Sequence, residues 1–474
     1  MHDRIKARAK RDIPAVGKIL DALGKYDLPR SVIVDVIRRE LSHIRQAANV
    51  PEFKSTVALI AGALDDVRAS RLQPVINGTG VVIHTNFGRS PLANDVVAAL
   101  TEIGPTYSNV EYDVPTGERG RRGSYVENAL ALLCEAEAAT VVNNCAAAIV
   151  LIVHHFTNKS GRARTQRAYR GESAPEIVIS RGELVQIGGG FRIGEMIEAT
   201  GARLREIGAT NKTTLEDYAR AIGPATGMIL KVHRSNFFMS GFVESPNTKQ
   251  IAALARKKHV PFVEDLGSGA VVATEEFGIP EHEPTPAETL KHGADLVCFS
   301  GDKLFGGAQA GIIAGKKRFI AALKRQPLFR ALRCDKLSLA ALQATVDLHL
   351  SQPPAAIPTL ALLRTSEEEL RGRAELVRDQ LSKQCRNLQV TIGRSAAKAG
   401  GGTLPKSTMS SVTINIVPKS CSSLEFSARL RKSTPPLIGY IANDCFKLDL
   451  RTIFPQQDDL VIEAIRDACA EPAE

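Results

Sequence analysis

From about residue 73 to residue 325 the chain repeats one texture: short β-branched runs, Gly-rich turns and longer Ala/Leu stretches. Apolar runs this short suit strands buried on both faces, and the longer stretches between them suit helical crossovers. The pattern therefore predicts an α/β domain with a mostly parallel sheet between two helical layers. Its predicted strands include Thr140–Val142, Glu176–Ile179, Gly227–Val232, Val260–Glu264 and Asp295–Phe299. Ahead of it, Ile13, Val16, Ile19 and Leu20, then Val32, Val34, Ile37 and Leu41, recur at helical spacing, with Leu28–Pro29 as a break. A helical head over 1–72 follows. Beyond the basic segment Lys316–Arg333, helices are predicted near 337–386 with Pro353–Pro354 as a joint. A Gly-rich loop at 399–402 and strand-like Ser411–Ile416 and Lys447–Leu450 then follow. The expected order is an all-helical domain (1–72), a large α/β domain (73–325), and linker helices with a small α+β domain (326–474).

With 474 residues, 44% hydrophobic and 24% charged, the chain has the length and apolar content for several buried cores. It has no apolar run of the ~18 residues that a spanning helix needs, and its first 20 residues do not form a secretory leader. A cytoplasmic chain with no membrane or DNA partner is expected. Its eight cysteines form no C-x-x-C pair and no zinc-spaced group with histidine, so the thiols read as reduced and no metal is expected. The net charge of +10 is uneven, because residues 1–71 carry 14 Lys or Arg against 9 Asp or Glu. A basic end suits a polyanion such as RNA, although surplus charge also serves solubility.

The stretch richest in chemistry is Val297–Gly311, where an apolar strand ends in Ser300–Gly301–Asp302–Lys303 and a Gly-rich hairpin follows. A lysine at a sheet's mouth is partly desolvated, which lowers its pKa and makes the amine nucleophilic. Asp265, 38 positions earlier, ends another apolar strand. Pyridoxal phosphate needs such a pair: a lysine for the Schiff base and a carboxylate against the pyridinium nitrogen. Alone, either residue could be a solvated lysine or a helix cap. A phosphate cup is offered by Asn143–Asn144–Cys145, a polar turn that opens a small-residue helix with free amides. No P-loop or dinucleotide fingerprint competes with it.

In these stretches the chain resembles fold-type-I pyridoxal-phosphate enzymes, and more closely the bacterial selenocysteine synthase family, the L-seryl-tRNA(Sec) selenium transferases. The resemblance spans nearly the whole length. It rests on Ile76–Arg89, on Lys231–Phe237 with Gly241–Phe242, and on Ser300–Lys303 with its hairpin. The chain departs from the family's pattern at Arg234, where threonine is usual, and at Ala308, where proline is usual.

The resemblance implies a fold-type-I transferase core in which Lys303 carries the cofactor, Asp265 partners its ring nitrogen, and the Asn143–Asn144–Cys145 turn and Ser300 hold its phosphate. It further implies that Arg89, Arg330 and Arg333 gather selenophosphate. Guanidinium forks suit such an oxyanion, and Arg330 and Arg333 would share a face if helical. Asp302 is either an acid–base group for the departing hydroxyl or a turn cap. His84 and His233 are candidates to stack on the ring and to orient substrate, unless they are satisfied core residues. The cationic loop Glu118–Gly123 suits tRNA backbone, a neighbouring subunit's site or plain solvent.

The implied reaction converts seryl-tRNA(Sec) to selenocysteinyl-tRNA(Sec) through an external aldimine, loss of the β-hydroxyl and selenium addition. The head would read RNA shape, and the assembly would be a homodecamer built from dimers. Two alternatives stand beside it: a related lyase acting on a small amino acid or amino sugar, and a non-catalytic RNA-binding protein on the same core.

Overall fold

A computed structural model describes residues 13–47, 49–157 and 174–470. It separates into two compact units, Met1–Val75 and Ile76–Glu474.

The first unit holds three helices: α1 (Val16–Leu23), α2 (Arg30–Gln46) and α3 (Phe53–Ala69). Their apolar stripes meet on Ile19, Ile37, Leu41, Ile60 and Leu64, all fully or nearly fully buried. Pro29 separates the first two helices, and its carbonyl accepts from the amides of Val32 and Ile33 to start α2. Opposite the stripe, α2 exposes Arg30, Arg38, Arg39 and Arg45.

The second unit opens with two short strands, β1 (Ile76–Asn77) and β2 (Val81–Ile83). A seven-stranded sheet follows: β3 (Ala138–Val142), β4 (Glu176–Ser180), β5 (Arg203–Ile207), β6 (Thr226–Val232), β7 (Phe262–Gly267), β8 (Leu296–Ser300) and β9 (Gly311–Gly315). The spatial order is β3-β9-β8-β7-β6-β4-β5. Every pairing is parallel except those of β9, which runs against both β8 and β3. The Gly-rich hairpin after Lys303 causes that reversal. It is too short for a crossover, so the chain must return antiparallel beside β8. Core strands such as Phe262–Asp265 and Leu296–Phe299 are buried on both faces, which explains their unbroken apolar sequence.

A helix-rich linker follows, with helices at Lys336–Ser351, Pro358–Arg364 and Glu367–Gln384, and Pro353–Pro354 lies in the gap after the first. The last segment forms β10 (Leu388–Gly400), β11 (Met409–Pro418), β12 (Leu437–Ile438), β13 (Tyr440–Ala442) and β14 (Cys445–Asp449). These join in the order β13-β14-β11-β10-β2, with β1 pairing separately to β12. Residues 76–83, expected to open the large domain, therefore pair with the C-terminal strands: Ile76 lies opposite Leu437 and Val81 opposite Lys398. Two- and three-residue strands carry no periodicity to reveal their partners.

Because the head has its own core, Ile37→Ala should destabilise that unit by ~2–5 kcal/mol. In calorimetry of the full chain a head transition should drop while the transition of residues 76–474 stays in place. An equal shift of both would show that the two units melt as one.

Candidate active site

Parallel strands place their C-terminal ends along one edge, and Asp265 on β7, Ser300 at the end of β8 and the turn after β3 all lie there. Gly311 binds two of these pieces together: it sits opposite both Ser300 and Val142. A Cβ at Gly311 would collide with the Asn144 carbonyl and lie 3.0 Å from the Cys145 amide. Only glycine lets that turn approach so closely.

Asp265 is 5% exposed. Its Oδ1 accepts from Cys145 Sγ at 3.5 Å and from Cys298 Sγ at 3.6 Å. Burial pushes the carboxyl above the usual carboxylate range, while the Lys303 amine, the two thiols and the Gly267 amide pull it back. Lys303 is half-buried, and its Nζ lies 4.0 Å from where a Gly267 side chain would begin. The lysine's turn is held from both sides. Gly306 N donates to the Lys303 carbonyl at 2.9 Å, and Ser90 Oγ lies 2.9 and 2.5 Å from the carbonyls of Asp302 and Lys303.

The phosphate-cup residues come together as a helix start. The helix Cys145–Thr157 is capped by Asn144, whose Oδ1 accepts from the Ala147 amide at 2.8 Å. That carboxamide is spent on capping, so the first-turn amides of Cys145 and Ala146 are left to meet an anion. The Asn143 amide donates to the Leu332 carbonyl at 2.9 Å, which brings the arginine-bearing segment to the same turn.

Asp302 pairs with Arg89: its Oδ2 is 2.7 Å from Arg89 Nη1 and 3.3 Å from Gln309 Nε2. It anchors Arg89, which adopts the left-handed backbone region at φ 68° where non-glycine residues are uncommon. Arg330 and Arg333 do not share a helical face. The helix Pro327–Leu332 ends before Arg333, whose backbone is extended, and Arg330 is exposed in the last turn. Arg333 meets Glu111 at 3.0 Å, where Arg119 (2.8 Å) and Arg122 (3.1 Å) also converge. The Arg122 hydrogen bond leads the effects that hold the Glu111 carboxyl below its ordinary value. A cavity of about 230 Å³ lies among Arg121, Arg122, Lys324, Phe329 and Arg333.

His84 stacks on Phe87 with ring centroids 3.9 Å apart, and burial lowers its pKa. His233 donates its backbone amide to the Asp265 carbonyl at 2.8 Å, and its Nε2 lies 3.2 Å from the buried Glu283. The sequence reading missed Ser90, Cys298, Gln309, Glu111 and Glu283. Ser90 adjoins Arg89 and Cys298 lies two positions before Ser300, so both were within reach. Glu111 is 222 residues from Arg333, and no local pattern signals that contact.

A lysine beside a buried carboxylate, with a helix-start anion cup at the same sheet edge, fits pyridoxal phosphate: a Schiff-base amine, a ring-nitrogen partner and a phosphate site. The class is that of fold-type-I pyridoxal-phosphate enzymes. D-Glucosaminate-6-phosphate ammonia-lyase shares the fold, with a TM-score of 0.56 at 20% identity over 84% of this chain and 96% of that one. The family model described as L-seryl-tRNA selenium transferase matches residues 75–454, and the chain belongs to that family. Among its relatives, the L-seryl-tRNA(Sec) selenium transferase of Desulfovibrio desulfuricans is 40% identical, covering 97% of this chain and 98% of its own. The Aquifex aeolicus relative of the same name is 39% identical over 94% of this chain and 95% of its own.

Behind Asp265 lies a buried charge layer. Lys231 Nζ meets Glu264 Oε1 at 2.5 Å, Thr248 Oγ1 donates to Glu264 Oε2 at 2.8 Å, and Glu183 Oε2 accepts from the Val232 amide at 3.2 Å. Burial pushes the Glu183 carboxyl up to about 7, against the pull of Lys231. The folded state thus binds a proton that the unfolded chain has already released, and stability falls as pH rises through that range. Glu183→Gln should match the parent in thermal melting near pH 5 and be more stable by roughly 1–4 kcal/mol at pH 8. Equal melting at both pH values would refute the buried proton.

Proposed function

We propose that the chain transfers selenium to the seryl group of seryl-tRNA(Sec), producing selenocysteinyl-tRNA(Sec), with pyridoxal phosphate as cofactor and selenophosphate as donor. One observation carries this: Lys303 stands beside the buried Asp265 in a chain whose relatives of that name match 97% of its length. That coverage takes in most of the basic head. The lyase alternative has no use for such a head, and a purely RNA-binding protein has no use for the lysine–aspartate pair.

The cofactor, when bound, supplies an electron sink for the charge left by removing the α-proton of serine. The protein's own groups do the rest. Lys303 anchors the cofactor and then moves the α-proton, helped by its half-buried position at the sheet edge. Asp265 keeps the ring nitrogen protonated, while the Cys145 and Ala146 amides and Ser300 hold the phosphate. Arg89, oriented by Asp302, combines with Arg330 and Arg333 to bind the donor's oxyanion. Arg333 exchanges its contact with Glu111 for that anion, since one guanidinium cannot serve both fully. His84 and His233 line the approach to the site.

Serine is the same on every seryl-tRNA, so the choice of tRNA(Sec) lies with RNA shape, read by the head through phosphate contacts such as those Arg30, Arg38 and Arg45 can make. The working assembly is a homodecamer built from dimers, of about 510 kDa for ten chains of 51.0 kDa each. A chain acting on aminoacylated tRNA works in the cytoplasm. Among the described residues no helix is long and apolar enough to cross a membrane.

The visible spectrum of the purified protein should change on adding serine-charged tRNA(Sec) and ignore free serine; the reverse response would favour the lyase. Lys303→Ala should abolish the visible cofactor band and keep RNA binding. Removal of residues 1–71 should keep the band and lose discrimination between tRNA(Sec) and ordinary tRNA(Ser). Retained discrimination would overturn the role given to the head.

A further inference from the structure

A cavity of about 500 Å³ opens at the end of β6, lined by Val232, His233, Arg234, Phe237, Phe238 and Lys406 among others, and the roles assigned above leave its aromatic and cationic wall unused. Its size falls within the ~300–1,000 Å³ typical of pockets for small organic ligands. Its floor is the end of β6, where Val232 lies in register with Asp265 and His233 donates its amide to the Asp265 carbonyl. Ser235 Oγ lies 3.4 Å, and Lys303 Nζ 4.0 Å, from the position where a Gly267 side chain would begin, so the segment that leaves the cavity floor at Arg234 passes close to the lysine.

The walls combine aromatic rings and cations with two carboxyl groups, Glu183 and Glu281, the latter accepting from the Lys406 amide at 3.0 Å. Phe237 and Phe238 line one side, and Phe238 is 52% exposed. Lys406, from the loop after β10, reaches over the Phe238 ring with Nζ 5.9 Å from its centroid. Arg234, at the position where the family resemblance expects threonine, also lines the cavity. Among the described residues neither Arg234 nor Lys406 has a salt-bridge partner. Phe242, in the same loop as Phe238, is 98% exposed and continues the aromatic surface outward.

We propose that this cavity receives the 3′-terminal nucleoside of the aminoacylated RNA, its base against Phe238 and the adjoining phosphate between Arg234 and Lys406. The inference rests on the seryl-tRNA reading and extends it to a specific subsite. Its chemical basis is short range. The ester linking the seryl group to the terminal ribose spans roughly 4 Å, like a trans peptide unit. A seryl α-carbon held at Lys303 therefore confines that ribose to the immediate neighbourhood of the lysine. A half-exposed aromatic ring with cations beside it is the arrangement that holds single-stranded nucleotides by stacking and phosphate contact.

The experiment uses the full chain with its cofactor and tRNA(Sec) carrying 2-aminopurine in place of the terminal adenine. Binding should quench the probe as it stacks. Phe238→Ala, with Phe238→Leu as a second variant that keeps apolar bulk but lacks a π face, should remove most of the quench. Each should raise the KM for seryl-tRNA(Sec) ~10-fold or more while leaving the overall RNA affinity, set by the head, within about twofold. Arg234→Thr should raise KM and flatten its salt dependence. Bound RNA with no quench, or a quench unchanged in both Phe238 variants, would overturn the subsite and leave the transferase reading intact. Failure of the chain to bind the RNA at all would overturn the transferase reading itself, and the subsite with it.

Discussion

A carboxylate sealed among apolar strands is held as an anion only by what surrounds it, and the second unit is organised around meeting that demand at Asp265. Burial alone drives the group toward its neutral form. Two thiols, one backbone amide and the Lys303 amine oppose that drive, and each comes from a different place in the chain. Cys145 arrives on the helix after β3, Cys298 on β8, and Lys303 on the turn beyond it. A cationic ring nitrogen would complete the set, which is why the same geometry that strains an isolated aspartate suits it to a pyridinium.

The reversal of β9 makes this convergence possible. By turning back immediately after Lys303, the chain places Gly311 between Ser300 and the Asn144–Cys145 turn, so Lys303, Asp265 and that turn share one sheet edge. Ser90 then ties the lysine's turn to the segment carrying Arg89, and Asp302 sets the direction of that guanidinium. The arginines are held in a different way. Glu111 gathers Arg119, Arg122 and Arg333, so their charge is balanced locally.

Much of this was legible in the sequence where the signal is local. The runs at 140–142, 227–232 and 296–299 are strands because a sheet covered on both faces favours apolar side chains, and the helical breaks at Pro29 and Pro353–Pro354 follow from proline's missing amide. Lys303, Asp265 and the Asn143–Cys145 turn were readable as chemistry at strand ends. The partners of Asp302 and Arg333 were not, because a contact across 213 or 222 residues leaves no periodicity. The shared helical face of Arg330 and Arg333 failed because the helix stops one residue too early.

By itself, then, the sequence determined the layered architecture and the head with its basic surplus, and it singled out the lysine and aspartate that the fold brings to one sheet edge, since each depends on local pattern or on residue type. Tertiary structure alone decided that residues 76–83 complete the C-terminal sheets, that Asp302 pairs with an arginine, and that an aromatic and cationic cavity opens at the end of β6. Those outcomes depend on which distant segments meet, and that is set by how the strands and helices pack and by no local feature of the chain.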